Sequence, residues 1–253
     1  MKAQSLSFSV NLSAAPAVAA LTAILATLPS PVTALTLVTE RAALGANDQV
    51  DWSSLGSAIP LLVLPNSFEA KSAGGLGLSV QIPPPTPGIT PPLVFQTLPP
   101  PNGIPTNFAP GDFILFTGLM PGSFPAPGNP GPLTISFDTP VSGAGAQIAV
   151  DDTFSFTAFI SAFDTSDTLL GSFSAVGTSS LALDNSALFL GVLSDTPNIQ
   201  RLVFSSSEPG RAFGINTLRI NAASVPEPGS VLALSLFGLG AIASRKKRAK
   251  ALL

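Results

Sequence analysis

The chain has 253 residues, no cysteine, no histidine and no tyrosine, and a formal net charge of −3. Without histidine or cysteine there is no Ser-His-Asp triad, no Cys-His pair and no imidazole or thiolate zinc site. Residues 35–224 hold thirteen acidic against five basic side chains, a net of −8; that surface repels phosphate polymers and excludes nucleic acid as a partner.

At the amino end, Lys2 is the only charge before Glu40, and 14–28 is an apolar run rich in Ala and Leu. Pro29 and Pro31 break it, and Val32, Thr33 and Ala34 offer small residues for cleavage. The pattern predicts a secretory signal peptide over 1–34, cut after Ala34. A buried core helix is the plainer alternative. Thr39 to Leu44 reads as a short helix, with Thr39 as cap and Gly45 as stop.

Beyond Gly45 the composition turns to Phe, Val, Ile, Thr and Ser punctuated by turn residues, the signature of an all-β chain. Strands are predicted at 59–64, 67–71, 76–82 and 112–117. Between 82 and 132, 16 of 51 residues are proline. Proline donates no ladder hydrogen bond, so apart from 112–117 this region is predicted as loop and polyproline II, not sheet. A loop of that length is a functional flap or a disordered insertion. Its apolar Leu93, Val94, Phe95 and Phe108 predict that it lies on the domain; a proline-reading partner is the alternative use.

The strand at 133–138 puts Leu133, Ile135 and Phe137 on one face and Thr134, Ser136 and Asp138 on the other. In 153–163 the even positions Phe154, Phe156, Ala158, Ile160 and Ala162 form the inner face. Further strands are expected at 168–176, 187–193, 199–205 and 212–220, with Asp164 to Asp167 as a hairpin turn. In the last strand Phe213 and Ile215 share one face, while Leu218 and Ile220 share the other. A bulge near Asn216 and Thr217 is therefore expected, since one extra residue flips the register. About eight to ten short antiparallel strands need two sheets packed face to face. The expected fold is an all-β, jelly-roll-like antiparallel β-sandwich over 35–224 with the proline-rich insertion at 82–132.

Little in this domain points to chemistry. Asp151, Asp152, Asp164 and Asp167 are the densest carboxylates and the weak candidates for calcium, which takes about six to eight oxygens; the bland reading is solvated turn residues. Paired carboxylates could run glycoside hydrolysis, but no spacing fixes two of them across a groove. Trp52 is the sole tryptophan for stacking a sugar. No enzyme activity, cofactor or resident metal is expected.

The carboxyl end is more specific. Val225-Pro-Glu-Pro-Gly-Ser230 precedes an uncharged apolar stretch, and Arg245, Lys246, Lys247, Arg248 and Lys250 close the chain. As a helix, the 15 residues of 230–244 would run roughly 22 Å at ~1.5 Å each, short of the ~30 Å hydrocarbon core but able to span by local thinning and snorkelling. The basic cluster should stay cytoplasmic. Pro226 and Pro228 stop the helix from extending backwards and leave Glu227 in an extended, accessible peptide. A plain single-span anchor is the bland reading.

These three parts together resemble the PEP-CTERM sorting signal of bacteria that make exopolysaccharide, here over 225–250. The resemblance implies recognition of Pro226, Glu227 and Pro228 by an exosortase, a membrane protease that cuts near them, with the chain membrane-anchored until then. It implies a final place at the cell surface or in the extracellular matrix, with exopolysaccharide as a possible associate. Residues 140–220 also resemble globular domains carried above such tails, in phrases such as Val141-Ser-Gly-Ala-Gly-Ala-Gln147 and Ile199-Gln-Arg-Leu-Val-Phe204. That likeness implies a calcium-holding acidic residue at the place where Asn216 stands. The expected role is a non-enzymatic surface or matrix protein; the alternative is a carbohydrate-binding module for the polymer.

Overall fold

The computed structural model describes residues 34–58, 61–122, 127–151 and 155–223. Among the described residues, fifteen strands run in chain order: β1 (Leu35–Val38), β2 (Asp48–Val50), β3 (Leu61–Val63), β4 (Ser67–Lys71), β5 (Gly77–Gln81), β6 (Leu93–Gln96), β7 (Phe113–Phe116), β8 (Leu133–Val141), β9 (Gly143–Val150), β10 (Ser155–Phe163), β11 (Leu169–Thr178), β12 (Leu188–Ser194), β13 (Ile199–Ser206), β14 (Phe213–Ile215) and β15 (Leu218–Asn221). All pairings are antiparallel. They make two sheets. One has six strands in the order β11-β10-β13-β8-β5-β4; the other has nine, along β1-β12-β9-β14-β7-β6-β3, with β15 bridging β9 and β2.

The alternation read from the sequence decides which face is inside. Leu133, Ile135 and Phe137 of β8 and Phe156, Ala158, Ile160 and Ala162 of β10 are buried. They meet Val94, Leu115, Ile148, Leu190, Val192 and Ile215 of the nine-stranded sheet in one continuous core. Each large side chain so buried contributes about 1.5–3 kcal/mol. With no cysteine in the chain, this core holds the domain without covalent help.

Four features differ from expectation. The proline-rich region contributes a second strand besides 113–116: β6 pairs with both β3 and β7. Its Leu-Val-Phe-Gln is a proline-free window between Pro91-Pro92 and Pro99-Pro100-Pro101, so its ladder donors are intact. Strand β9 was not expected from Gly-Ala-Gly-Ala-Gln-Ile-Ala-Val, which lacks β-formers in its first half, yet it is buried along its whole length. A Cβ on Gly145 would lie 2.5 Å from Gly191 Cα in the neighbouring β12, so small residues are required by close backbone approach. The helix at 39–44 is a 3-10 turn, Arg41–Leu44. Glu40 stands at its cap without a side-chain capping bond, and Gly45 ends it in the left-handed region at φ 60°. A second such turn, Trp52–Leu55, was not expected; Asp51 caps it by accepting from Ser53 N–H at 2.9 Å.

The bulge falls where the phase change put it. β14 pairs Ile215 with Ile148, whereas β15 pairs Arg219 with Gly145 on the same strand β9. One extra residue therefore lies on the 215–219 side, and Asn216 and Thr217 occupy the gap.

Candidate functional site

Of the sorting-tail residues, Pro226, Glu227, Pro228, Arg245, Lys246, Lys247, Arg248 and Lys250 all lie outside the described residues, as does the segment 230–244. Among the described residues no helix is long and apolar enough to cross a membrane. Ala34 is exposed and lies immediately before β1. At the other end, β15 stops at Asn221, within a few residues of Val225.

The three calcium candidates among the described residues, Asp151, Asp164 and Asp167, are not gathered. Asp164 and Asp167 sit in the β10–β11 hairpin, whereas Asp151 follows β9 and precedes β10; the nine residues of β10 separate the two places, about 30 Å along an extended strand. Asp152 lies outside the described residues. Asp164 spends Oδ1 on the turn, accepting from Ser166 N–H at 2.8 Å and Thr168 N–H at 2.9 Å. Asp167, at φ 62°, accepts from Arg201 Nε at 3.0 Å and pairs with its guanidinium. Arg201 in turn lies 3.7 Å over the Phe163 ring. Among the described residues no three acidic groups converge on a metal position.

Two other arrangements stand out. The first is a buried polar hub at the bulge. Asn216 Oδ1 accepts from Gln147 N–H at 3.0 Å, and Asn216 Nδ2 donates to Gln147 Oε1 at 2.7 Å and to Asp112 Oδ2 at 2.8 Å. Gln147 Nε2 reaches the carbonyls of Ala187 and Asn185 and the Asn185 side chain, while Arg41 donates to Gln147 Oε1. Trp52 Nε1 donates to the Asn216 carbonyl at 2.8 Å, and Trp52 is 0% exposed. The only tryptophan is therefore a core residue and offers no face to a sugar. The bulge was legible in the sequence; that it gathers a polar cluster was not, because Gln147 and Asn185 stand in stretches without periodicity.

The second is an apolar cavity of about 330 Å³ on the outer face of the nine-stranded sheet. Its floor is Phe95 of β6, Ile114 and Phe116 of β7, Ala149 of β9 and Gly214 of β14. Phe95 and Phe116 meet edge to face at 5.8 Å. A Cβ at Gly214 would come 2.5 Å from Ile114 Cγ2, so glycine keeps that floor open. The roof is the proline-rich segment around Ile104, Thr106, Asn107 and Phe108, with Ser179 to Leu181 beside it. Hydrogen bonds stitch the roof down: Thr97 and Thr106 hydroxyls at 2.6 Å, Leu183 N–H to the Thr106 carbonyl at 2.8 Å, and Asn107 Nδ2 to the Thr178 carbonyl at 2.8 Å. The insertion lies on the domain, as its apolar residues predict, and gives the outer sheet face its own small core of Leu93, Phe95, Phe108, Ile114, Phe116, Ala149, Ala187 and Ala212.

An antiparallel two-sheet domain that ends directly before a Pro-Glu-Pro, apolar, basic tail defines a class: a folded β module carried by a sorting signal. Residues 224–248 match the family model for the PEP-CTERM protein-sorting motif. The chain carries that motif, which marks it as an exported protein sorted by an exosortase and held in the membrane before processing. Curated proteins give no match. Among solved structures, a DUF4465 family protein from Bacteroides caccae aligns over 69% of this chain and 99% of its own at 13% identity and a TM-score of 0.42.

Proposed function

We propose that the processed protein is a non-enzymatic component of the cell envelope or extracellular matrix, its β-sandwich serving as the exported body and its tail as the address. The sorting motif at 224–248 carries this reading. Two placements support it. A cut after Ala34 would free β1 at the new amino terminus without touching a ladder, and a cut near Glu227 would fall beyond β15. Both cuts would leave the core whole. The acidic residues Asp51, Asp164 and Asp184 are engaged in local turns. The burial of Trp52 weighs against a carbohydrate-binding module built on it.

The test is to replace Pro226, Glu227 and Pro228 together by alanine in the native host and fractionate the cells. The wild-type protein should be found in the surface or matrix fraction. The variant should stay full-length in the inner membrane. An unchanged distribution of the variant would overturn the assignment.

A further inference from the structure

Resting on the sorting assignment, we propose that the fold limits its own processing, with Asn47 as a positioning residue for the exosortase cut. The side-chain amide of Asn47 grips Ala222 twice: Nδ2 donates to the Ala222 carbonyl at 3.0 Å, and Oδ1 accepts from the Ala222 N–H at 2.9 Å. One residue earlier, Ser142 N–H donates to the Asn221 carbonyl at 2.9 Å, and Asn221 Nδ2 donates to the Leu44 carbonyl at 3.0 Å. The hold of the fold on the chain therefore reaches Ala222. Only Ala223, Ser224 and Val225 separate that residue from Pro226.

The exit is also set back into the body. Strands β1, β12, β9 and β15 lie side by side; Leu35 pairs with Ser194, Leu193 with Gly143, and Asn221 with Gly143. The first strand thus begins, and the last strand ends, at one end of the sheet, about 14 Å apart at ~4.8 Å per ladder step. At that end Ala222 and Ala223 line a recess of about 600 Å³, with Gly74, Gly75 and Pro140 in its walls.

The stand-off that results is short. At no more than ~3.6 Å per residue, the step from Ala222 to Glu227 spans at most about 18 Å at full stretch. A domain of about 190 residues has a radius of gyration of about 16 Å, hence a width of about 40 Å. A membrane protease that takes the Pro-Glu-Pro peptide must therefore work in a gap narrower than the body above it. Each residue held down narrows that gap by up to ~3.6 Å, so Asn47 sets it by holding Ala222.

The experiment follows tail removal from the full-length chain in pulse-labelled host cells. Deletion of Ala223 and Ser224 lies beyond the last clamped residue and spares the fold. It should slow removal by about fivefold or more, because misplacing a substrate by an ångström already costs rate. Asn47→Ala in the shortened chain frees Ala222 and should raise the rate by about twofold or more, with the thermal melt of the domain retained. Should Asn47→Ala fail to fold, Asn47→Asp takes its place: it loses the donor to the Ala222 carbonyl and should shift the rate the same way. A Gly/Ser stretch of about ten residues, inserted between Ala223 and Ser224 and adding up to ~36 Å of reach, should make the rate independent of Asn47. A shortened chain processed at wild-type speed, a shortened chain that the Asn47 variant does not speed, or a dependence on Asn47 that survives the insertion would each overturn the proposal. The triple alanine variant at 226–228 separates this proposal from the sorting assignment. If that variant still loses its tail, the assignment falls and this proposal with it; if it is blocked while stalk length has no effect, only this proposal falls.

Discussion

Asn216 and Gln147 hold each other by both side chain and backbone: Gln147 N–H donates to Asn216 Oδ1 at 3.0 Å, Asn216 Nδ2 donates to Gln147 Oε1 at 2.7 Å, and Asn216 N–H donates to the Gln147 carbonyl at 3.2 Å. A bulge normally leaves ladder groups unpaired. Here the inserted residue supplies the missing partners itself, and the cluster it builds ties Arg41, Trp52, Asp112 and Asn185 to one point of the nine-stranded sheet.

Asn216→Ala should therefore cost more than an ordinary core polar deletion. It strands Gln147 N–H and leaves both Gln147 Oε1 and Asp112 without this donor. At about 1–3 kcal/mol for a buried group left unpaired, a loss near 3 kcal/mol is expected, or about 6–12 °C in the thermal midpoint of a domain this size. Calorimetry of the variant checks it. A shift below about 2 °C would mean that water replaces the amide.

Gly145→Ala is expected to destabilise by about 2–3 kcal/mol although it adds one methyl. The new Cβ would meet Gly191 Cα at 2.5 Å and the Leu190 carbonyl oxygen at 2.8 Å, and both are backbone. Neither can rotate away, so β9 and β12 must part. Denaturant unfolding of the variant reads the loss; an unchanged midpoint would show that the two strands are not in this register.

Asp167→Gly should be close to neutral, within about 1 kcal/mol and on the stabilising side. The exposed pair with Arg201 is worth only about 0.2–1 kcal/mol, while a non-glycine residue at φ 62° costs about 1–2 kcal/mol. For the same reason calcium should leave the wild-type melt unchanged, because Asp167 is directed to Arg201 and Asp164 to its own turn. A calcium-dependent rise in the melt that Asp167→Gly removes would contradict this.

Asp184 gives a small pH dependence. The hydroxyl and backbone N–H of Ser186 hold its carboxyl below the usual carboxylate range. A folded-state value below the unfolded one means that the ionised form is favoured by folding, so the contribution is present above the unfolded pKa and fades as pH falls through the folded one. The side chain is fully exposed, so the effect is small. Stability curves of the wild type and Asp184→Asn should differ at neutral pH and converge in acid. A gap that widened on acidification would reverse the sign.

The strands that periodicity made legible were those buried on one face. β8 and β10 alternate because water covers their other side, and β4 was read to the residue. β9 was invisible for the opposite reason: covered on both faces and crowded by Gly191 and Phe189, it needs glycine and alanine, which signal a loop when read alone. The bulge at Asn216 was legible from a change of phase. The cavity was not, because its floor and roof join Phe95, Asn107, Ala149 and Leu181 from four separate stretches that only the closed sheet brings together. The sorting tail needed no tertiary information, since proline, length and charge act there on the chain itself.

Mass spectrometry of the mature protein taken from the host envelope tests the central claim most directly. An amino terminus at Leu35 and a carboxyl terminus near Glu227 are expected, without the peptide that holds Arg245 to Lys250. Recovery of the intact chain, Met1 through Leu253, as the sole species would contradict it.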